Sequence, residues 1–571
     1  MGVDRKIQLK SGIKPELATK SLIGHKILHS KIFRVLGFQS YTIIHIYMNV
    51  YIVIRTKMRL VGTISGEVRP TEFNILLSTS DIEKGSFIKV SHETYGWVLA
   101  RVDNLKRYVD PRGEEVLLAG AYTVGYKRDN QILIPRTPFK PEERVYSADR
   151  DLIMSVMGLK KSKVNNIYLG LLEGHDIPVY LDVKKSIGKH MSILAKTGAG
   201  KSYTVAVILE ELLKANVPCI IIDPHGEYSS LKYENDDYDA MLQFNVKPRS
   251  YENEVTEYAA NIITNPKAEK LTLKSRFSLD ELIEIMPMRL NDKQKSIAYD
   301  AMRRLENLEY TIQDIINAVR LDKSKAKWKV ISGLETLRNS GIFEGKPISM
   351  KQLVRKGNAS IINLKGVEPR IQELILAKIA KDLFNTIKLG EISPFFFLVE
   401  EAHNFCPERG FGDALSSQIL RTIASEGRKF GLYLCVVSQR PARVDKNVLS
   451  QCNMQIILKV TNPNDLRAIG QSIEGFTPGM EDDIKQLSIG QALVVGECVE
   501  QPITANIRAR ESKHYSAVET KKREEIHKKS IIEKIKPVFI EEELVKGKKK
   551  IKPPKKKTKI DKLKSIFLKD E

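Results

Sequence analysis

From Leu60 to about residue 140 the apolar residues come in short runs. Asn74–Leu77, Phe87–Val90 and Tyr95–Val102 are rich in apolar, β-branched or aromatic residues, and Lys84-Gly85 and Asp110-Pro111 punctuate them. Short runs between turn signals predict strands. Several in succession predict a small antiparallel β-barrel over residues 58–150. A polar linker follows over 151–176. From Ile177 apolar strands alternate with longer helical patterns, which predicts a parallel α/β sheet with crossover helices. Cys219–Ile222, Ile361–Leu364, Phe395–Val399 and Leu432–Val437 read as its buried strands. Residues 278–345 interrupt the alternation. Ser278 and Glu281 have the spacing of a capping box, and Met302–Leu308 and Thr311–Val319 read as helices. The core thus divides into 177–277 and 346–510, with a helical insertion between. Residues 511–571 read as a charged helix followed by a basic tail.

Composition narrows the class. The chain has 571 residues, 42% hydrophobic and 28% charged, which suits about three or four globular domains and excludes collagen, wholesale disorder and a disulfide-stapled miniprotein. Cys219, Cys406, Cys435, Cys452 and Cys498 are widely spaced and odd in number. They predict a reducing, cytoplasmic setting and no zinc cluster.

The net charge of +22 is uneven: +9 falls in 546–571, +8 in 1–57 and only +5 in between. A basic tail can attract nucleic acid through phosphates, or simply keep the protein soluble. Val35–Ile54 is uncharged and long enough to span a bilayer, but Gln39, Ser40, His45 and Asn49 lie within it. It reads either as a span or as part of an extension upstream of a true start at Met58.

The strongest chemical signal is Ala195-Lys196-Thr197-Gly198-Ala199-Gly200-Lys201-Ser202, a P-loop in which Ala195 replaces the first glycine. Met191–Leu194 is a strand before it, and Val205, Ile208, Leu209 and Leu212 form an apolar helical face after it. Such a loop wraps phosphate oxygens with backbone N–H groups at a helix N-terminus. Lys201 would reach the β and γ phosphates of ATP, and Ser202 would ligate Mg²⁺. Phe395-Phe396-Phe397-Leu398-Val399-Glu400-Glu401 is an apolar strand ending in two acids. Glu400 would act on Mg²⁺, directly or through water, and Glu401 would polarise the attacking water.

Two further strand ends are candidates. Asp223 opens Asp223-Pro224-His225-Gly226-Glu227-Tyr228 and could serve the Mg²⁺ water shell, position water or shape a turn. His225 reads as an orienting residue. Gln439 or Arg440, in Ser438-Gln439-Arg440-Pro441, could contact the γ-phosphate. Arg421 and Arg428 lie seven apart on one predicted helix. An arginine supplied across a subunit interface can neutralise charge on a transferring phosphate. Lys323, Lys325, Lys327 and Lys329 are either nucleic-acid contacts or a solvated face.

Together, these elements from about Met58 to Ile507 resemble the HerA family of archaeal hexameric DNA-translocating ATPases, in the FtsK–HerA class. Glu400-Glu401-Ala402-His403-Asn404 and Glu426-Gly427-Arg428-Lys429-Phe430-Gly431 add to the likeness. The resemblance implies a RecA-like P-loop core with an N-terminal small β-barrel and a helical insertion. It implies a homo-hexamer acting on double-stranded DNA with a NurA-like nuclease in double-strand-break processing. It also implies that Lys201 and Glu401 are essential and that Arg428 is the best trans finger. Two other classes fit the residues: a membrane-anchored packaging or conjugation ATPase, and a P-loop ATPase that only scaffolds a nuclease.

Overall fold

The computed structural model describes residues 59–514 apart from 112, 130, 160–164, 275–277, 306–308 and 475. The extension 1–57 with Val35–Ile54, and the charged segment beyond 514, lie outside the described residues. No helix among the described residues is long and apolar enough to cross a membrane.

The chain divides into two units, Met1–Leu159 and Lys160–Glu571. The first contains β1 (Leu60–Val68), β2 (Glu72–Leu77), β3 (Phe87–His92), β4 (Gly96–Val109), β5 (Glu115–Arg128), β6 (Gln131–Leu133) and β7 (Arg144–Ser147). Its order β2-β1-β7-β3-β4-β5 closes through a β2–β5 pairing, and every pair is antiparallel. Six strands therefore form a closed barrel, as the short alternating runs predict, and β6 adds a hairpin to β5. Alternation along β2 turns Phe73, Ile75 and Leu77 inward. They pack with Val61, Ile64, Ile88, Val90, Val98 and Val145. Closure leaves no edge among these six strands.

The second unit is built on β8 (Asn166–Leu172), β9 (Pro178–Asp182), β10 (Met191–Leu194), β11 (Cys219–Asp223), β12 (Val255–Ala259), β13 (Glu269–Lys270), β14 (Ala359–Asn363), β15 (Phe395–Val399), β16 (Leu432–Ser438), β17 (Met454–Ile457), β18 (Gln491–Gly496) and β19 (Ile503–Ile507). They form one sheet in the order β13-β12-β14-β11-β15-β16-β10-β17-β18-β19-β8-β9. The strands from β13 through β17 run parallel, and the last four pair antiparallel. Central strands such as β11 and β15 are buried along their whole length. That explains their unbroken apolar sequences, because a parallel sheet is covered on both faces.

Two sequence boundaries need correction. The expected linker 151–176 contains a helix, Arg150–Val156, and then β8, which pairs with β19 in the main sheet. The α/β core therefore begins ahead of Ile177. At the other end, Glu511 and Ser512 are buried against the helix Lys201–Lys214 rather than opening a charged helix. Both misreadings concern segments whose partners lie far away in sequence.

Between β13 and β14 five helices among the described residues span Leu279–Ile285, Asp292–Arg304, Ile312–Arg320, Lys327–Asn339 and Met350–Leu353, the first four of them in the insertion. The Ser278/Glu281 capping box forms, and Asn291/Gln294 and Thr311/Asp314 form two more. The second helix starts ten residues before Met302 and ends at Arg304. Leu282, Ile297, Ile315, Ile316 and Leu334 turn their apolar faces into the main core.

Candidate functional site

Strand β10 ends at Leu194 and runs directly into the P-loop. Ala195 is buried, and its N–H donates to Ser438 O at the end of β16, 3.2 Å away. Ala195 is not at positive φ. The alanine thus keeps both its conformation and its backbone donor, and its methyl fills space. Gly198 and Gly200 adopt φ +78° and +98°, a region open to glycine at little cost. Gly200 caps the helix Lys201–Lys214 without any side-chain bond. The first N–H groups of this 14-residue helix are therefore left to face a ligand. Lys196, Thr197 and Gly198 are exposed at the loop tip, and Ser202 is half-buried.

Strand β15 lies one strand away from β10, with β16 between. Its end delivers Glu400 and Glu401 to Lys201. Lys201 Nζ donates to Glu400 Oε1 and, at 2.7 Å, to Glu401 Oε1. All three side chains are buried. Burial opposes the Lys201 charge, but the two acids outweigh it and raise its pKa. Burial pushes the Glu400 carboxyl up to about 7 against the pull of Lys201 and Tyr228. For Glu401 burial is overcome, chiefly by Lys201, and the carboxyl is held below its usual range. Lys201 thus pairs with both acids, and burial weighs more heavily on the Glu400 carboxyl than on that of Glu401.

Glu401 is also a backbone outlier, with φ 50° and ψ 46° where β15 turns into the short helix Ala402–Phe405. A non-glycine residue in this region is uncommon and costs roughly 1 kcal/mol or more. Gln439 Nε2 donates to Glu401 Oε1 at 2.6 Å, and Thr197 Oγ1 donates to Gln439 Oε1. Gln439 therefore ties the P-loop to the acid. Glu401 Oε2 is buried and accepts no hydrogen bond. Beside it stands His403 Nδ1 at 3.3 Å, itself 3.1 Å from Ser438 Oγ.

Four sequence candidates, and the lysines of the insertion, fall outside this cluster. Asp223 is fully buried, and its carboxylate accepts from the N–H groups of His225, Gly226 and Tyr228 at 3.2, 2.8 and 3.1 Å. It shapes a turn. Arg440 is exposed. Arg428 donates to Gln451 Oε1 at 3.3 Å, where the parallel strands begin, whereas the P-loop sits where they end. Arg421 is held by Asp445 at 2.8 Å. Of the four lysines, Lys323, Lys325 and Lys329 are exposed, but Lys327 Nζ caps the carbonyls of Arg320 and Asp322 at 2.9 and 2.5 Å.

Sequence reasoning missed Tyr228 and His403 as neighbours of the two acids. Each lay inside a quoted motif, but no spacing rule ties a strand-end tyrosine to another strand's glutamate. It also missed Arg508 and Arg510, both fully buried against Glu210 on the P-loop helix. Charge in an unremarkable segment carries no local signal of burial.

A P-loop at the carboxyl end of a parallel strand, facing acids from the next strand but one, defines a RecA-like P-loop ATPase core. Residues 167–383 match the family model described as "Helicase HerA, central domain". The chain is 30% identical over 458 residues to the probable DNA double-strand break repair helicase HerA of Methanocaldococcus jannaschii, covering 67% of this chain and 84% of that one. It is 26% identical over 525 residues to the DNA double-strand break repair helicase HerA of Pyrococcus furiosus, covering 78% and 92%. Among solved structures, VirB4 of Thermoanaerobacter pseudethanolicus is similar at 17% identity and a TM-score of 0.47, over 62% of this chain and 98% of that one. The chain belongs to the HerA family of archaeal helicases, in the FtsK–HerA class of P-loop ATPases.

Proposed function

We propose that this protein is an ATP-driven translocase on double-stranded DNA, working as a cytoplasmic homo-hexamer with a NurA-like nuclease at double-strand breaks. Relatives named as double-strand break repair helicases support the repair role. The observation that carries the motor reading is the Lys201–Glu401 pair, whose outer carboxylate oxygen, Oε2, is buried without a hydrogen bond. A buried carboxylate oxygen left unbonded costs free energy unless a ligand or water completes it.

The residues fit Mg²⁺-ATP. The uncapped N–H groups after Gly200, the backbone of Ala195–Gly200 and Lys201 hold the phosphates; Ser202 and Glu400 hold Mg²⁺. Bound nucleotide supplies the phosphoanhydride whose cleavage drives movement. Glu401, kept ionised by Lys201, orients water through Oε2, and Gln439 links that carboxylate to Thr197 on the loop. Arg428 serves a neighbouring subunit.

Lys201→Ala should weaken both nucleotide binding and hydrolysis. Glu401→Gln should leave binding within a few-fold while turnover falls by two orders of magnitude or more, roughly what a positioned base contributes. Nucleotide titration beside steady-state hydrolysis, with and without duplex DNA, tests this. Normal turnover in Glu401→Gln would sink the assignment, and wild-type hydrolysis indifferent to DNA would sink the motor.

A further inference from the structure

The turn after β11 makes a contact that none of the roles above uses. Gly226 stands at φ +74°, and a Cβ there would come within 3.1 Å of the Asn363 side chain, so glycine suits both the backbone and the space. Asp223 gathers the turn around its carboxylate and anchors the N–H of Tyr228. Tyr228 then begins the short helical turn Tyr228–Lys232 with its side chain 1% exposed. Its hydroxyl donates to Glu400 Oε2 at 2.5 Å. Because Lys201 occupies Glu400 Oε1, each oxygen of this buried carboxylate is held by a different element: the P-loop helix on one side and the β11 turn on the other.

We propose that Tyr228 is a positioning residue that fixes the orientation of Glu400 and thereby sets the affinity of the site for Mg²⁺. The proposal rests on the reading of the cluster as an Mg²⁺-nucleotide site. Packing alone does not explain the residue. Phenylalanine would fill the same space, and a buried tyrosine hydroxyl needs a partner that the site must supply. Losing the bond leaves Glu400 Oε2 without its hydrogen-bond partner and the carboxylate freer to turn, which weakens a metal ligand. On this view Asp223 serves the metal at one remove, through the turn that delivers Tyr228.

The test is nucleotide binding by the full chain in Mg²⁺ and in EDTA, for wild type and Tyr228→Phe. Affinity in EDTA should stay within about twofold. The Mg²⁺ concentration for half-maximal enhancement should rise roughly tenfold, the scale of one hydrogen bond to a charged group. ATPase activity should recover when Mg²⁺ is raised to match. Gly226→Ala strains the turn without touching the hydroxyl or Glu400, and should shift the Mg²⁺ dependence the same way. It carries the test if Tyr228→Phe fails to fold. Unchanged Mg²⁺ half-saturation in a folded Tyr228→Phe, or a loss of thermal stability alone, overturns the proposal. Wild type binding nucleotide without any Mg²⁺ effect would instead sink the underlying site reading.

Discussion

Arg428 donates to Gln451 Oε1 at 3.3 Å, at the edge of the sheet where β10 and β17 begin. Lys201 lies beyond the opposite edge, after the four residues of β10, roughly 13 Å of strand. The guanidinium thus stands away from its own chain's P-loop, so an action on nucleotide would have to be on a neighbour's. Arg428→Ala should bind ATP normally and hydrolyse it slowly. Arg428→Lys should also be impaired, because lysine lacks the planar fork that matches a phosphoryl group. Mixed rings of Arg428→Ala and Lys201→Ala should exceed the activity of both parents once subunits exchange. No rise, with mixing confirmed by native mass measurement, would count against action in trans.

The same arginine bears on a buried histidine. His190 Nδ1 accepts from Leu434 N at 2.8 Å, and Nε2 lies 3.1 Å from Ala424 O. This requires the neutral ring protonated on Nε2. Burial, helped by the charge of Arg428, depresses its pKa to about 4. A histidine with a depressed folded pKa contributes its full stability above about 6.5 and loses it as pH falls toward about 4. By linkage the loss reaches about 2 kcal/mol at pH 5. Urea unfolding at pH 7 and pH 5 reads it. The pH dependence should shrink in His190→Gln, and an equal slope in both proteins would refute this account.

Arg508 is fully buried, 2.9 Å from Glu210 Oε2 and 2.7 Å from Glu211 Oε1 on the P-loop helix. Glu210 also accepts from the N–H groups of Glu511 and Ser512. The segment after β19 therefore straps the helix that Lys201 begins. Removing one partner of a buried ion pair strands the other, at about 3–5 kcal/mol. Arg508→Ala should lose that much in urea unfolding, and truncation after Ile507 should lose more. A change under about 1 kcal/mol would mean that water reaches the acids.

The lysines of the insertion separate by structure. Lys323, Lys325 and Lys329 are exposed beside Trp328, but Lys327 is spent on two carbonyls. If this face meets DNA, replacing the three exposed lysines with alanine should lower the logarithmic salt slope of duplex binding by about 0.9 per lost phosphate contact. Lys327→Ala should cost stability without changing the slope. Identical slopes in the triple variant and wild type would exclude the face.

Local patterning carried much of the architecture. The unbroken apolar run Phe395–Val399 is a central parallel strand because both its faces are covered. Gly198, Gly200 and Lys201 form the turn and helix start of a P-loop because glycine backbone freedom and a helix N-terminus are properties of a few adjacent residues. The Ser278/Glu281 cap is equally local. Tertiary structure decided what depends on partners distant in the chain. β8 joins the sheet only because β19, more than 300 residues later, offers it a hydrogen-bonded edge. Tyr228 rather than Asp223 reached Glu400, which lies on another strand 172 residues later. Arg508 became a core residue because Glu210 and Glu211 were there to neutralise it. Arg428 lies at the start of the strands rather than their end because its helix runs back across the sheet before β16 begins. Sequence patterns register the faces of single elements; which charged groups meet across them is set by packing, which no local pattern encodes.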